Sequence, residues 1–442
     1  MPTHSSAIGE GGGPAEQSRA LVLHPVIRQR GERLRDPEKR LEEAVGLTQA
    51  IDLHVVHAEN IRVDKVQPGT LIGGGVRERM AHLVEEMEID LVIMDCALTP
   101  VQQRNLEKEW GCKVIDRTGL ILEIFGARAR THEGRLQVEL AAMKFQRSRL
   151  VRSWTHLERQ RGGLGFIGGP GESQLEIDRR LIDERIGKLN RELETVKRTR
   201  ELQRSARQRV PYPVVALVGY TNAGKSTLFN YMTGSEVFAK DLLFATLDPT
   251  MRAIRLETGR NVILSDTVGF ISDLPTDLVA AFRATLEEVV EADVIVHVRD
   301  IASEDSEEQR LDVEEVLESL SLDSDVPIVQ VWNKADLLDQ EEASAVFERA
   351  EREDNTVVLS AINGHGTDTF GLILEKLLSR GEERMTRLVA YGDGKQIAWL
   401  YENCHVIERR DLNEGMELTI SVSDKLVGQM ENLFGPVAGK PE

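Results

Sequence analysis

Apolar positions along this chain change period from one stretch to the next. Between residues 20 and 125, short apolar runs alternate with amphipathic stretches. Arg19-Ala20-Leu21-Val22-Leu23, Leu53-His54-Val55-Val56, Leu91-Val92-Ile93-Met94 and Lys113-Val114-Ile115 predict strands, and Glu38 to Ala50, Val76 to Glu88 and Pro100 to Trp110 predict helices. That alternation predicts an α/β domain. Further on, Leu136, Leu140, Met143, Leu150, Trp154 and Leu157 step by four and three, with Arg147 filling one place, so they form a helical stripe. Ile182, Ile186, Leu189, Leu193 and Val196 repeat the step, which predicts an antiparallel helical hairpin with its arginines outside.

From residue 213 onward the period returns to strands. Pro213 to Val218, Val262 to Ser265, Pro327 to Trp332 and Thr356 to Leu359 are apolar runs, each followed by a polar or glycine-containing segment. After Arg380, Leu388 to Ala390, Gln396 to Tyr401, Val406-Ile407 and Leu418 to Ile420 predict a small strand–helix–strand–strand unit closed by a helix. The expected fold class is α/β: a central α/β domain preceded by an α/β N-terminal domain and an antiparallel helical hairpin, and followed by a small α/β C-terminal domain. The boundaries are set at 1–18 for a Gly- and Ser-rich disordered tail, 19–130, 131–209, 210–380 and 381–442.

The segments that follow the apolar runs carry the chemistry. Gly219-Tyr220-Thr221-Asn222-Ala223-Gly224-Lys225-Ser226 lies between a strand and the helix-like Thr227 to Met232, the context that a phosphate-binding loop requires. Its glycines let backbone N–H groups face phosphate oxygens, Lys225 reaches the β- and γ-phosphates, and the Ser226 hydroxyl is an Mg2+ ligand. Asp266-Thr267-Val268-Gly269 ends the next apolar strand. There a carboxylate serves Mg2+ through water and the Gly269 N–H senses the γ-phosphate. Between them, Phe244 to Thr250 supplies hydroxyls that can close over Mg2+; Thr246 is the chosen ligand and Thr250 the alternative. Asn333-Lys334-Ala335-Asp336 selects the base, because a carboxylate accepts from both guanine N1–H and the exocyclic amine, while adenine offers no such donor pair. Lys334 can lay its stem across the base, and Ser360-Ala361 reaches the base edge.

Two positions bear on hydrolysis. Phe270 follows Gly269 where many signalling GTPases carry a water-orienting glutamine, so slow intrinsic turnover is expected. Asn222 can ligate a monovalent cation, K+, beside the phosphates, and that charge would act where an arginine finger otherwise does; the alternative is that Asn222 only braces the loop.

Charge identifies a candidate partner. The chain of 442 residues has a net charge of −19, yet residues 126–209 hold 20 Lys+Arg against 11 Asp+Glu, a net of +9, and residues 211–380 hold 13 against 32, a net of −19. A basic segment in an acidic protein is a candidate polyanion contact. Between its two helices, Arg161 to Gly171 is too glycine-rich for a helix. Its Gly163-x-Gly165-x-x-Gly168 is not a dinucleotide fingerprint, since it follows a helix. Arg161, Phe166, Arg179 and Arg180 are the RNA-contact candidates; the tip is otherwise a solvated linker. Asp95 and Asp116 read as turn carboxylates, and His54, His297 and His405 as packing residues. Cys96, Cys112 and Cys404 show no metal spacing, and no apolar run approaches membrane-spanning length. A cytoplasmic monomer is expected, with transient membrane association as the alternative.

The whole arrangement resembles the HflX family of translational GTPases. The resemblance is carried by Leu106-Glu107 through Thr118, by Ala127 to Leu140 with its Arg128-Ala129-Arg130-Thr131-His132-Glu133-Gly134-Arg135 run, by Gly168 to Arg180, and by the nucleotide motifs. It implies that residues 210–380 are a phosphate-loop GTPase (G) domain that binds GTP and GDP, that the chain associates with the large ribosomal subunit through the hairpin, and that it has a role in splitting or rescuing stalled ribosomes. Ile72-Gly73-Gly74-Gly75 departs from the family pattern, being followed by Val76 and not by lysine, which weakens any second nucleotide site there. A partner in RNA modification and a nucleotide-gated scaffold remain the competing readings.

Overall fold

A strand covered on both faces needs an unbroken apolar run, and the run that starts at Ala20 forms the centre of the first of three sheets. The structure, a computed structural model, describes residues 17–27, 36–160, 174–207, 212–234, 244, 250–272, 283–320, 322 and 325–435. The chain divides into two compact units, Met1–Ala127 with Lys144–Ile182, and Arg128–Met143 with Asp183–Glu442.

In the first unit, β1 (Arg19–Ile27), β2 (His54–Val63), β3 (Leu91–Met94) and β4 (Lys113–Asp116) form a parallel sheet in the order β2-β1-β3-β4. α1 (Pro37–Gln49), α2 (Gly74–Glu86) and α3 (Pro100–Trp110) make the connections. Thr99 and Gln102 close a reciprocal capping box that starts α3. α4 (Arg117–Arg128) follows β4 directly. Sequence periodicity misses it because Leu120, Ile121, Leu122, Ile124 and Phe125 crowd together and are all buried, so successive apolar positions do not step by three and four.

Asp95 and Asp116 are not solvated turn carboxylates. Asp95 is buried between His24, whose Nδ1 lies 2.8 Å away, and Arg117, which also pairs with Glu43. Burial pushes the Asp95 carboxyl up, but Arg117 and His24 outweigh it and hold the pKa at about 2. Asp116 accepts from the Gly119 N–H at 2.8 Å and pairs with Arg149 at 3.0 Å. Two carboxylates at the ends of adjacent parallel strands thus each face an arginine.

α5 (His132–Gln160) and α6 (Gln174–Arg207) are the two predicted long helices. Leu136, Leu140, Ile186 and Leu189 of the predicted stripes are buried, and Arg185 Nε donates to Glu139 at 2.7 Å. Arg179 and Arg180 are exposed. Arg161 and Phe166 lie outside the described residues.

The second unit also holds a six-stranded sheet in the order β10-β9-β8-β5-β7-β6. β5 (Val214–Val218), β7 (Asn261–Asp266), β8 (Val294–Asp300), β9 (Ile328–Asn333) and β10 (Thr356–Val358) are parallel, and β6 (Thr250–Arg255) is an antiparallel edge. α7 (Lys225–Thr233) and α11 (Thr367–Leu378) pack Leu228, Phe229, Phe370 and Leu374 onto one face of that sheet. α8 (Arg283–Val290), α9 (Ser306–Ser319) and α10 (Gln340–Ala350) complete it. A third sheet, β11-β13-β12, is antiparallel and comprises β11 (Glu382–Val389), β12 (His405–Leu412) and β13 (Gly415–Ser423), with α12 (Gly394–Asn403) and α13 (Asp424–Phe434) alongside. Its strands are longer than the apolar signal because β12 is exposed along most of its length.

Arg260, at the end of the turn between β6 and β7, joins the two sheets. It is 4% exposed and donates to Glu375 at 3.0 Å, to both oxygens of Glu382 at 2.9 and 2.7 Å, and to Ser379 at 3.2 Å. His297 is buried, His405 half-buried and His54 exposed, so the packing expectation fails for His54.

Candidate functional site

Four of the five parallel strands of the six-stranded sheet, β5, β7, β9 and β10, deliver a motif at the same, carboxyl, edge, where open α/β sheets bind ligands. β5 ends at Val218, and the turn to α7 is forced through Gly219, with φ 150, and Gly224, with φ 93. A Cβ on Gly219 would lie 2.2 Å from the Val298 carbonyl oxygen, and one on Gly224 would lie 2.1 Å from Asn333 Nδ2. Glycine is required here by close approach as well as by dihedral angle.

Lys225 is 6% exposed, and its ammonium donates to Gly219 O at 3.0 Å and Tyr220 O at 2.8 Å. Burial pushes its pKa down to about 8 against the opposing pull of Asp266. Ser226 Oγ donates to Asp266 Oδ2 at 2.7 Å; the carboxylate itself is fully buried. Thr267 Oγ1 donates to Leu217 O at 2.6 Å, which ties that segment to β5. Thr227 is half-buried on the first turn of α7, and Ala223 is buried.

The segment after Asp266 is paired directly with the phosphate loop. Thr221 N donates to Phe270 O at 2.7 Å, and Phe270 N donates to Gly219 O at 3.1 Å. The Phe270 ring is 1% exposed, so it is a core residue. A Cβ on Gly269 would meet Thr221 Cγ2 at 2.9 Å and Lys225 Nζ at 3.1 Å. Gly269, Thr221 and Lys225 therefore crowd one point. Asn222 is exposed with φ 60. Phe244 is buried with φ 57; Thr246 lies outside the described residues.

Asn333 uses both ends of its amide on backbone. Nδ2 donates to Ala223 O at 2.8 Å, and Oδ1 accepts from Ala361 N at 2.9 Å, so it links the phosphate loop to the loop after β10. Asp336 is exposed, and its Oδ1 accepts from Ser360 Oγ at 2.5 Å. Lys334, with φ 67, places Nζ 2.7 Å from Asp300. Sequence reading misses Asp300, which belongs to no motif; the signal was its place as the last residue of β8, in register with Asn333. Sequence reading also misses Tyr231, whose hydroxyl packs where a Gly364 Cβ would stand.

The donor set suits Mg2+: one hydroxyl and one carboxylate, both hard oxygens, converge beside the phosphate loop. Among the described residues, no group of three His, Cys, Asp or Glu could hold another metal, and no helix is long and apolar enough to cross a membrane.

A phosphate loop, a metal-side carboxylate and an exposed aspartate after β9, all at one edge of a mixed sheet, define a phosphate-loop GTPase. Family profiles match along the chain: "GTP-binding GTPase N-terminal" over residues 38–126, "GTP-binding GTPase Middle Region" over 128–207, "50S ribosome-binding GTPase" over 214–334 and "HflX C-terminal domain" over 345–441. The GTPase HflX of Magnetococcus marinus is 48% identical over 394 residues, covering 89% of this chain and 90% of that protein. The Escherichia coli GTPase HflX is 44% identical over 360 residues, covering 81% and 84%. A GTP-binding protein from Sulfolobus solfataricus, solved with GDP, is 24% identical with a TM-score of 0.44, covering 83% of this chain and 99% of that chain. The chain belongs to the HflX family of GTPases.

Proposed function

We propose that this GTPase binds the large ribosomal subunit when loaded with GTP, splits or rescues stalled ribosomes as a monomer, and leaves after hydrolysis. The observation that carries this reading is a basic α5–α6 segment, exposing Arg179, Arg180, Lys188, Arg191 and Arg198, in the same chain as a domain matching the ribosome-binding GTPase profile. Exposed arginines attract RNA phosphates, while the acidic remainder suppresses non-specific contacts.

In this reading Lys225 and the loop N–H groups hold the phosphates. Ser226 and Asp266 would hold Mg2+, with Thr246 as a further ligand. Held there, Mg2+ would supply positive charge against the phosphate oxygens. Asp336 reads guanine, Lys334 covers the ring, Ser360 and Ala361 border it, and Gly269 senses the γ-phosphate. Phe270, packed in the core, leaves no side chain at that position to orient water, so the water is positioned by a backbone group, a cation or the ribosome.

GTP turnover with and without large subunits, together with cosedimentation in GDP and in a non-hydrolysable GTP analogue, tests the proposal. Stimulated turnover and analogue-dependent pelleting are expected; neither stimulation nor pelleting rejects it. Arg179→Glu with Arg180→Glu should weaken pelleting and leave GTP affinity unchanged.

Asn222 supplies the K+ ligand in the same reading, because its carboxamide lies at the solvent-facing bend of the loop. Turnover at equal ionic strength should be faster in potassium than in sodium chloride. Equal rates would leave Asn222 as a brace for the loop.

A further inference from the structure

Asp300 lies outside the nucleotide motifs, yet its surroundings give it a place in the site. Its Oδ2 lies 2.7 Å from Lys334 Nζ, and the two side chains are 18% and 20% exposed. Its Oδ1 accepts the Ala302 N–H at 3.1 Å, which fixes the rotation of the carboxylate. Backbone pairing brings the two residues together. Asp300 is in register with Asn333, and Ile301 N donates to Asn333 O at 3.0 Å. Lys334 then turns through a left-handed φ of 67, a conformation that persists in a non-glycine residue where its surroundings determine it.

We propose that Asp300 is a positioning residue for guanine binding: it anchors the Lys334 ammonium so that the aliphatic stem is already laid out as an apolar wall for the ring. This rests on the reading that Lys334 covers the base. A lysine held by no anchor must be ordered when the nucleotide arrives, and ordering a rotamer-rich side chain weakens binding by about two- to tenfold. Asp300 has done that ordering beforehand. Its chemistry differs from that of Asp336. Asp336 accepts from the donor edge of guanine, whereas a lysine stem touches only the ring face. Hypoxanthine presents the same face and lacks the exocyclic amine, so the two contributions separate.

The test is the dissociation rate of fluorescent GDP and IDP from the full chain, compared among wild type, Asp300→Asn, Lys334→Ala and the double variant. Asp300→Asn should speed release of GDP and IDP by the same factor, about two- to tenfold, and should add nothing in the Lys334→Ala background. An equal further factor in that background shows that Asp300 acts without Lys334 and overturns the proposal. A larger factor for GDP than for IDP shows that Asp300 holds the Asp336 loop, and overturns it as well. Unchanged release in Asp300→Asn, while Lys334→Ala accelerates it, rejects the anchor alone. If Lys334→Ala itself leaves release unchanged, the reading of Lys334 over the base fails first. Asp300→Ser provides the same comparison should the asparagine variant misfold.

Discussion

Asp336→Asn is expected to weaken GDP binding by about two to four orders of magnitude and to make xanthine nucleotides the better ligands. Hydrogen bonds to a charged acceptor contribute about 1.5–3 kcal/mol each, so losing two accounts for roughly that range. The amide also turns a donor toward guanine's own donors. Xanthine carries a carbonyl where guanine carries the amine, so the amide N–H of the variant has an acceptor there. The fold should survive, because an amide oxygen can still accept from Ser360 Oγ, which donates to Asp336 at 2.5 Å. Fluorescence titration with GDP and XDP measures the switch; unchanged GDP affinity would mean that Asp336 does not face the base.

Lys225→Met is expected to lower GTP turnover by about a hundred- to a thousandfold, the usual loss when one preorganised donor to a developing charge is removed. Single-turnover hydrolysis measures it. Stability should respond in a different way. The Lys225 ammonium is buried, and its pKa falls to about 8. Below that pH both folded and unfolded chains carry the charge, and the folded one bears the desolvation. As pH rises from about 8 toward the ordinary lysine range, the unfolded chain still binds the proton that the folded chain has lost, so stability rises through that window. The methionine variant removes this rise. Phosphates favour the charged form, so above about pH 8 nucleotide binding takes up a proton and affinity falls as pH increases. Calorimetry in buffers of different ionisation enthalpy counts that proton. Full hydrolysis by Lys225→Met, or binding without proton uptake, would remove Lys225 from the phosphates.

The phosphate loop was legible because its requirements are local. A tight turn from a strand into a helix needs glycine at left-handed φ, and a phosphate needs a lysine at one fixed spacing, so the letters between Gly219 and Ser226 report the geometry directly. The helical stripes were legible as far as Leu136, Leu140, Ile186 and Leu189, which are buried, since helical period is a property of neighbours in the chain; the side chains of Trp154 and Leu157 lie outside the described residues. α4 was not, because its apolar residues Leu120, Ile121, Leu122, Ile124 and Phe125 crowd together and are all buried, so successive ones do not step by three and four. Sequence reading gave Asp95 and Asp116 a structural place but not their partners, because the cations come from other elements: Arg117 reaches back 22 residues to Asp95, and Arg149 reaches back 33 to Asp116.

The residue sequence by itself determined the nucleotide class, the order of the motifs and the alternation of strand and helix, all of which follow from side-chain type at short spacing. Tertiary structure decided which groups meet. It assigned Asn333 to the backbone of two loops, seated Phe270 in the core against the phosphate loop, set Asp300 beside Lys334, and joined Arg260 to Glu375 and Glu382 across 115 and 122 residues. Those pairings depend on strand order and register, which bring distant carboxyl ends to one edge of a sheet, and no local pattern of residues encodes which strand lies next to which.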